Sequence, residues 1–253
     1  MKISAVVLTY NCEDTIERAL QSLDFADEII VVDSGSKDRT VQIAEHLGCR
    51  VFLNPWPGYA EQKQFGVDKT NYDWIFVLDS DEEVSKELRK WLTSLKTSNQ
   101  IKADGYAFKR VMFIEKERID VIWRNEFRIR LFRKKSGTFV GKDPHERIVV
   151  SGVVKKVPLE IYHFSYQGLV DQVRKLTNHA KTWAETNERI SCLSSIVRLF
   201  VSPISRFTKM FLIRFGFALG IRGFILCVNE AYYAFLKYAI LIWNKRLKND
   251  RSA

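Results

Sequence analysis

Two short acidic segments carry the residue types best suited to chemistry. Asp79-Ser80-Asp81 follows the apolar run Trp74–Leu78 and precedes a helical pattern. Carboxylates one residue apart at a strand end can turn one side chain to a divalent cation and the other to a ribose. Hard cations such as Mg²⁺ or Mn²⁺ favour one or two carboxylates completed by phosphate oxygens and water. Ser80-Asp81-Glu82-Glu83 also reads as a capping box, with Ser80 as N-cap and Glu83 three residues on. In the second segment, Asp33-Ser34-Gly35-Ser36-Lys37-Asp38, two acids flank a glycine turn between a strand and a helix. There Ser36 can cap the helix and Asp38 can complement its dipole. Capping explains either segment alone. Two acidic strand ends in one sheet would crowd like charges at one edge, which a bound cation or ribose hydroxyls would relieve.

The elements that must position these acids alternate over the first hundred residues. Ile3–Thr9, Glu28–Val32, Arg50–Leu53 and Trp74–Leu78 are apolar, β-branched runs that read as strands. Asp14–Leu23, Asp38–Leu47, Tyr59–Asp68 and Val84–Leu95 show helical spacing, with Gly48 placed to end the second. Strand–helix alternation with apolar strands predicts an α/β fold whose mainly parallel sheet is covered on both faces. Ligands bind beyond the carboxyl ends of such strands, which directs attention to Thr9-Tyr10-Asn11, Asp33–Ser36 and Asp79–Asp81. Past about residue 104 the pattern changes. Gly105–Phe113, Arg128–Phe132 and Arg147–Val150 read as strands of a mixed sheet edge, and Gln167–Ile190 as a polar helix.

The 253 residues allow one sizeable domain with an appendage. At 46% hydrophobic and 28% charged residues, general disorder is excluded. Cys12, Cys49, Cys192 and Cys227 form no C-x-x-C pair, which argues against a zinc ribbon or a disulfide framework and fits a reducing compartment. The apolar stretch after Met1-Lys2 is too short for a signal-peptide core. The net charge of +10 is uneven: −6 over residues 1–108, +8 over 109–156 and +9 over 164–253. An acidic front and a basic back imply different partners. A nucleic-acid-binding protein is disfavoured by that acidic front and by the lack of a recognised DNA- or RNA-binding motif. A nucleotidyltransferase would carry a glycine-rich basic loop after its first strand, where this chain has Tyr10-Asn11-Cys12-Glu13.

Three segments together resemble the signatures of family 2 glycosyltransferases with the GT-A fold. They are Ala5-Val6-Val7-Leu8-Thr9-Tyr10-Asn11, then Val32-Asp33-Ser34-Gly35-Ser36-Lys37-Asp38-Arg39-Thr40, then Trp74-Ile75-Phe76-Val77-Leu78-Asp79-Ser80-Asp81-Glu82. The region Arg130-Leu131-Phe132, Val140, His145-Glu146 and Tyr162-His163-Phe164 is similar to the subgroup that builds lipopolysaccharide inner core, of the β-1,4-glucosyltransferase type acting on heptose. Ser34 departs from the family pattern, in which an aspartate often contacts the uracil.

The resemblance implies an inverting, metal-dependent hexosyltransferase. An acceptor hydroxyl displaces the nucleoside diphosphate of a nucleotide sugar, expected to be UDP-glucose. It implies a donor site at Thr9, Tyr10, Asn11, Asp33, Ser34, Ser36, Asp38, Asp79 and Ser80. Mg²⁺ or Mn²⁺ is expected on Asp81 and Asp79, with His163 as a further metal or diphosphate contact. Glu146, in Asp143-Pro144-His145-Glu146, is expected to be the general base, with Glu126 and Asp120 in reserve. Lys63 and Arg130 are suited to phosphate or to ordinary surface roles, and Trp56 and Trp123 to stacking on a sugar or to packing. A catalytic domain over 1–165 is expected, divided into a nucleotide-sugar half (1–100) and an acceptor half (101–165), followed by a basic, hydrophobic helical extension over 166–253.

In that extension the best membrane-length window, Gly223–Trp243, holds Asn229, Glu230 and Lys237, and Leu199–Ile213 is broken by Pro203, Arg206 and Lys209. Recurrent Lys and Arg among Leu, Ile and Phe suit helices lying in the headgroups of an anionic leaflet. The alternatives are packing of the same helices on the catalytic domain and a re-entrant or spanning helix. The expected setting is the cytoplasmic face of the inner membrane, with peripheral attachment, a lipid-linked saccharide acceptor (lipopolysaccharide core) and no nucleic acid. A polyprenyl phosphate or a protein side chain remains open as acceptor.

Overall fold

The computed structural model describes residues 1–98, 101–123, 126–141 and 146–250. The chain divides into two compact units. Unit 1 is Met1–Val111 with Asn125–Phe164, and unit 2 is Met112–Arg124 with Ser165–Ala253.

Unit 1 opens with β1 (Ile3–Thr9), α1 (Glu13–Gln21), β2 (Glu28–Asp33), α2 (Thr40–His46), β3 (Arg50–Leu53), α3 (Tyr59–Asp68) and β4 (Trp74–Asp79). A short strand β5 (Glu82–Val84) and helix α4 (Lys86–Thr97) follow, then β6 (Gly105–Ile114). After β7 (Glu117–Ile119) come β8 (Glu126–Arg133), β9 (Gly137–Val140), β10 (Arg147–Val150) and β11 (Val154–Tyr166). The strand order is β3-β2-β1-β4-β8-β6-β11-β5, with β9 and β10 as a separate hairpin. The sheet is mixed, as expected: parallel across β3-β2-β1-β4, and antiparallel where β8 joins β4.

Strand alternation sorts the side chains into two cores. Ile3, Ala5 and Val7 of β1 join Val31, Phe76 and Leu78 under α1 and α4, where Ile16, Leu20, Leu88 and Leu92 close the layer. Val6, Leu8, Ile30, Val32, Ile75 and Val77 face the opposite way, toward Val67 of α3 and Phe139 of β9. Each such aliphatic side chain contributes about 1.5–3 kcal/mol on burial. Gly66 lets α3 settle on this second face. A Cβ there would stand 2.5 Å from Val6 Cγ1 and 3.0 Å from Val32 Cγ2.

Helix α4 starts later than the periodicity predicts. Glu82–Val84 pairs with β11 as a strand, and Ser85 is the N-cap, its hydroxyl accepting from Leu88 N at 3.2 Å. The capping-box reading of Ser80 is therefore corrected. Strand β11, undetected in the sequence, is broken in pattern by Lys155, Lys156 and Pro158.

In unit 2, Met112–Ile114 pairs with β7, and α5 (Leu169–Thr186), α6 (Cys192–Thr208) and α7 (Gly220–Asp250) follow. A π-helical turn (Lys209–Ile213) and a 3₁₀ turn (Gly216–Leu219) link α6 to α7. Ile119, Ile122, Met210, Leu226 and Cys227 form its apolar core.

Candidate active site

The parallel register aligns Thr9 with Asp33, Asp33 with Leu53, and Leu8 with Asp79, so three signature segments end at one edge of the sheet. Asp33 is nearly fully buried there, 1% exposed. Its Oδ1 accepts from Thr9 Oγ1 at 2.9 Å and Ser36 Oγ at 2.5 Å, and its Oδ2 from the amides of Gly35 at 2.9 Å and Ser36 at 2.7 Å. Thr9, Asp33 and Ser36, expected to line the donor site, also bond to one another and fold the turn. Gly35 at φ +97° is what lets the backbone wrap around the carboxylate.

Asp38 is engaged in the same manner. It accepts from Glu13 N at 3.1 Å and Thr40 N at 3.0 Å, tying together the starts of α1 and α2. Despite some burial, these donors hold its carboxyl below the usual range. Asn11, in the left-handed region at φ +45°, donates its amide to Ser36 Oγ and accepts from Lys37 N, both at 2.8 Å. What this loop pair offers outward is the Tyr10 ring, 61% exposed, and the half-buried Ser34, whose hydroxyl accepts from Gln62 Nε2 at 3.0 Å. Gln62 is fully buried and also bridges to Asn54, an organising role that its place in a polar helix conceals.

At the end of β4 a buried chain of charges runs from Glu82 to Glu146. Arg130 Nη2 lies 2.5 Å from Glu82 Oε1 and 2.8 Å from Asp79 Oδ2. Lys63 Nζ lies 3.2 Å from Asp79 Oδ1 and 2.8 Å from Glu146 Oε1. The side chains of Lys63 and Arg130 are each only 7% exposed, so neither is an ordinary surface cation. Burial opposes charge on Asp79, yet Arg130 and Lys63 hold its carboxyl well below the usual range. Burial likewise opposes charge on Lys63, and Asp79 and Glu146 outweigh it and raise the ammonium. Arg130 Nε is buried without a hydrogen-bond partner. Both oxygens of Asp79, expected as a metal ligand, are held by cations, Lys63 on one and Arg130 on the other. Glu82, fully buried, was missed because its position in an acidic run reads as a helix start.

Asp81 occupies the turn between β4 and β5. The antiparallel pairing of β11 with β5 sets His163 opposite Glu82, and Phe164 N donates to Asp81 O at 2.9 Å. His163 Nε2 thereby stands 3.3 Å from Asp81 Oδ2. Among the described residues no three His, Cys, Asp or Glu side chains converge. Two protein donors suit a Mg²⁺ or Mn²⁺ ion whose remaining ligands are phosphate oxygens and water, and the imidazole tilts the pair toward Mn²⁺. Ser80 is half-buried beside Cys12, whose thiol is pushed up by burial.

The remaining candidates make contacts of their own. Glu126 pairs with Arg128 at 2.5 Å, and Asp120, in unit 2, with Arg118 at 2.7 Å. Trp56 is 46% exposed, edge-on to Tyr59 with centroids 4.6 Å apart. Trp123 belongs to the unit 2 core, its Nε1 donating to Glu230 at 3.3 Å. Asp143, Pro144 and His145 lie outside the described residues.

Residues 4–157 match the family model described as Glycosyl transferase family 2. An uncharacterized glycosyltransferase of Rickettsia bellii is 33% identical over 252 residues, covering 95% of this chain and 86% of the relative. The lipopolysaccharide core biosynthesis glycosyltransferase LpsC of Rhizobium meliloti is 27% identical over 255 residues, covering 98% and 94%. Among solved structures, glucosyl-3-phosphoglycerate synthase from Mycobacterium tuberculosis, in complex with Mn²⁺ and UDP, is 31% identical over 44% of each chain with a TM-score of 0.35. The TarS protein of S. aureus is 18% identical over 87% of this chain and 46% of that one, with a TM-score of 0.48.

Proposed function

The chain belongs to glycosyl transferase family 2, and from that premise we propose that it moves a hexose, glucose, from UDP-glucose to a lipid-linked saccharide of the lipopolysaccharide inner core, with inversion. The name of the LpsC relative supports the acceptor class. The observation that carries the reaction is the junction at the end of β4, where the Asp81–His163 pair adjoins the Lys63–Glu146 pair through Asp79.

In this reading the donor lies over Tyr10, Asn11, Ser34 and Ser80. Asp81 and His163 hold the divalent cation, which when bound neutralises the leaving diphosphate. Lys63 and Arg130 add fixed positive charge in a buried setting, where it acts strongly on developing negative charge. The acceptor oxygen forms a bond to the anomeric carbon as the carbon–oxygen bond to phosphate breaks. The acceptor's proton passes to the Glu146 carboxylate, and nucleoside diphosphate departs. Glu146, tied to Lys63 and 13% exposed, is a positioned acid in reach of substrate. Residues 1–165 form the catalytic part in this reading. Residues 166–253 hold it, peripherally, at the cytoplasmic face of the inner membrane, where a lipid-linked acceptor resides.

The test is purified protein with a panel of nucleotide sugars, Mn²⁺ or Mg²⁺, and deep-rough lipopolysaccharide. UDP-glucose with Mn²⁺ should give transfer, and the product linkage should be inverted at the anomeric carbon. Transfer without added metal in the presence of chelator, or retention of configuration, would overturn the mechanism.

A further inference from the structure

Helices α6 and α7 of unit 2 carry large apolar side chains on their exposed sides as well as in the core. On α6, Leu193, Ile196, Phe200 and Ile204 recur at helical spacing and are 74%, 43%, 66% and 69% exposed, while Ser195 is fully buried. On α7, Ile221, Phe224, Val228 and Phe235 repeat the pattern at 71%, 44%, 41% and 40%. Some polar side chains of the pair point inward. Glu230, 2% exposed, accepts from Arg206 Nε at 3.0 Å, and Asn229 Nδ2 donates to the buried Gln172 at 2.8 Å. A helix of a soluble bundle turns its apolar stripe to the core and its polar residues to water. These two stripes run roughly 17 and 21 Å along their helices at 1.5 Å per residue. An uncovered apolar patch of that extent marks a binding surface.

Charge identifies what covers it. From Arg189 to Asn249 the sole carboxylate side chain is Glu230, and Arg206 takes it. Arg198, Lys209 and Lys237 have no carboxylate partner among the described residues. Arg206, Lys209 and Lys237, with Ser202, Ser205 and Tyr233, line a cavity of about 290 Å³ between the two helices. Lys209 and Lys237, with the hydroxyls of Ser202, Ser205 and Tyr233, form a niche for a phosphate. A second copy of the chain would bring the same cations against each other, so a self-interface is disfavoured. Trp243 and Tyr232, 68% and 44% exposed, add the amphipathic rings that favour a membrane interface.

We propose that the α6–α7 face docks in plane on an anionic phospholipid leaflet. Its two apolar stripes sit at the headgroup–acyl boundary, and Lys209 and Lys237 meet lipid phosphates. Residues Gly216–Arg246 are long and apolar enough to cross a bilayer, their most apolar 18-residue window having mean hydropathy 1.4. Crossing, however, would carry Lys237 and the α6 stripe's flanking cations through hydrocarbon, whereas lying flat leaves them among headgroups. The proposal deepens the membrane attachment given above and does not depend on which sugar or acceptor is used.

The experiment is flotation of the full chain with vesicles of phosphatidylcholine alone and of phosphatidylcholine mixed with phosphatidylglycerol, at low and high salt. Binding should favour the anionic vesicles and weaken with salt. Phe200→Glu with Ile204→Glu should lower binding roughly tenfold or more, at an unchanged unfolding temperature because both side chains are exposed. Lys209→Gln with Lys237→Gln should remove the preference for phosphatidylglycerol and leave the weaker binding to phosphatidylcholine. Indifference of the wild type to phosphatidylglycerol, or full binding by the Phe200/Ile204 variant, would overturn the surface. Resistance to alkaline carbonate, with the C-terminus shielded from added protease, would replace in-plane docking with a spanning helix. Loss of a dimer on sedimentation, with vesicle binding intact, would assign the face to a second copy. UDP-glucose binding by calorimetry, read in parallel, reports on the proposed reaction alone.

Discussion

His163 Nε2 lies 3.3 Å from Asp81 Oδ2 because β11 pairs with β5 immediately after the acidic turn. A short three-residue-per-side ladder thus joins the Asp79–Asp81 signature to a histidine far along the chain. In the proposed metal site the imidazole is paired with Asp81, so its loss should show in metal affinity. Disturbing even an outer partner of a metal ligand costs about 10–100-fold, and His163→Ala should cost at least that in the Mn²⁺ concentration giving half-maximal transfer. An unchanged Mn²⁺ titration would remove His163 from the metal site.

Lys63 bridges Asp79 and Glu146 at 3.2 and 2.8 Å with little exposure. Lys63→Met leaves Glu146 without its cation and Asp79 with Arg130 alone, and removing one partner of a buried pair costs about 3–5 kcal/mol. Glu146→Gln should spare folding but lower kcat about 10²–10⁴-fold, the usual worth of a positioned base, with the KM for UDP-glucose little changed. In the double variant the losses in stability should fall short of additive by about 1–3 kcal/mol, as for residues in one network. Additive losses measured by denaturant titration would deny the bridge.

The parallel half of the sheet was legible because its strands are apolar runs closed by Asp33 and Asp79, and its helices keep their period. The site was legible as a set of residues but not as a division of labour. Sequence shows Asp33, Asp38 and Asp79 as acids at strand ends; it does not show that backbone amides or cations already occupy their oxygens. Glu82 and Gln62 escaped notice because a buried glutamate and a buried glutamine look like surface residues until a partner 48 positions away, or a loop eight away, is brought to them. Strand β11 escaped because a strand opening with Lys155 and Lys156 and containing Pro158 carries no clean alternation. In unit 2 the periodicity of α6 and α7 was visible, but which way each stripe faces depends on tertiary packing.

Asp33 separates a structural from a ligand-binding role by experiment. Its two oxygens take two hydroxyls and two backbone amides. Asparagine keeps an acceptor for the amides while the hydroxyls of Thr9 and Ser36 can reorient to the new donor. Asp33→Asn should therefore lower stability by about 1–2 kcal/mol and weaken UDP binding only through the loosened turn. Thermal unfolding and UDP calorimetry check this together. Full stability with UDP binding abolished would return Asp33 to direct contact with the nucleotide.

The acid limit of the fold should depend on Glu28, at the start of β2. Its Oε1 accepts from Ser4 Oγ and Asn71 N, both at 2.6 Å, and its Oε2 from Asn71 Nδ2 at 2.8 Å and Arg50 Nη1 at 2.9 Å. Burial alone would raise its carboxyl, but these donors outweigh burial and hold it below the ordinary value of 4.5. A depressed folded-state value means that the stabilisation is fully present above pH 4.5 and is lost as pH falls through the lower, folded value, because the unfolded chain takes up the proton first. Glu28→Gln removes the charge at every pH. It should lower stability at neutral pH by about 2 kcal/mol, the scale of hydrogen bonds to a charged group. It should also flatten the decline in stability between pH 5 and the acid transition. Urea titrations of wild type and variant across that range test it, and parallel curves would show that Glu28 does not carry the proton linkage.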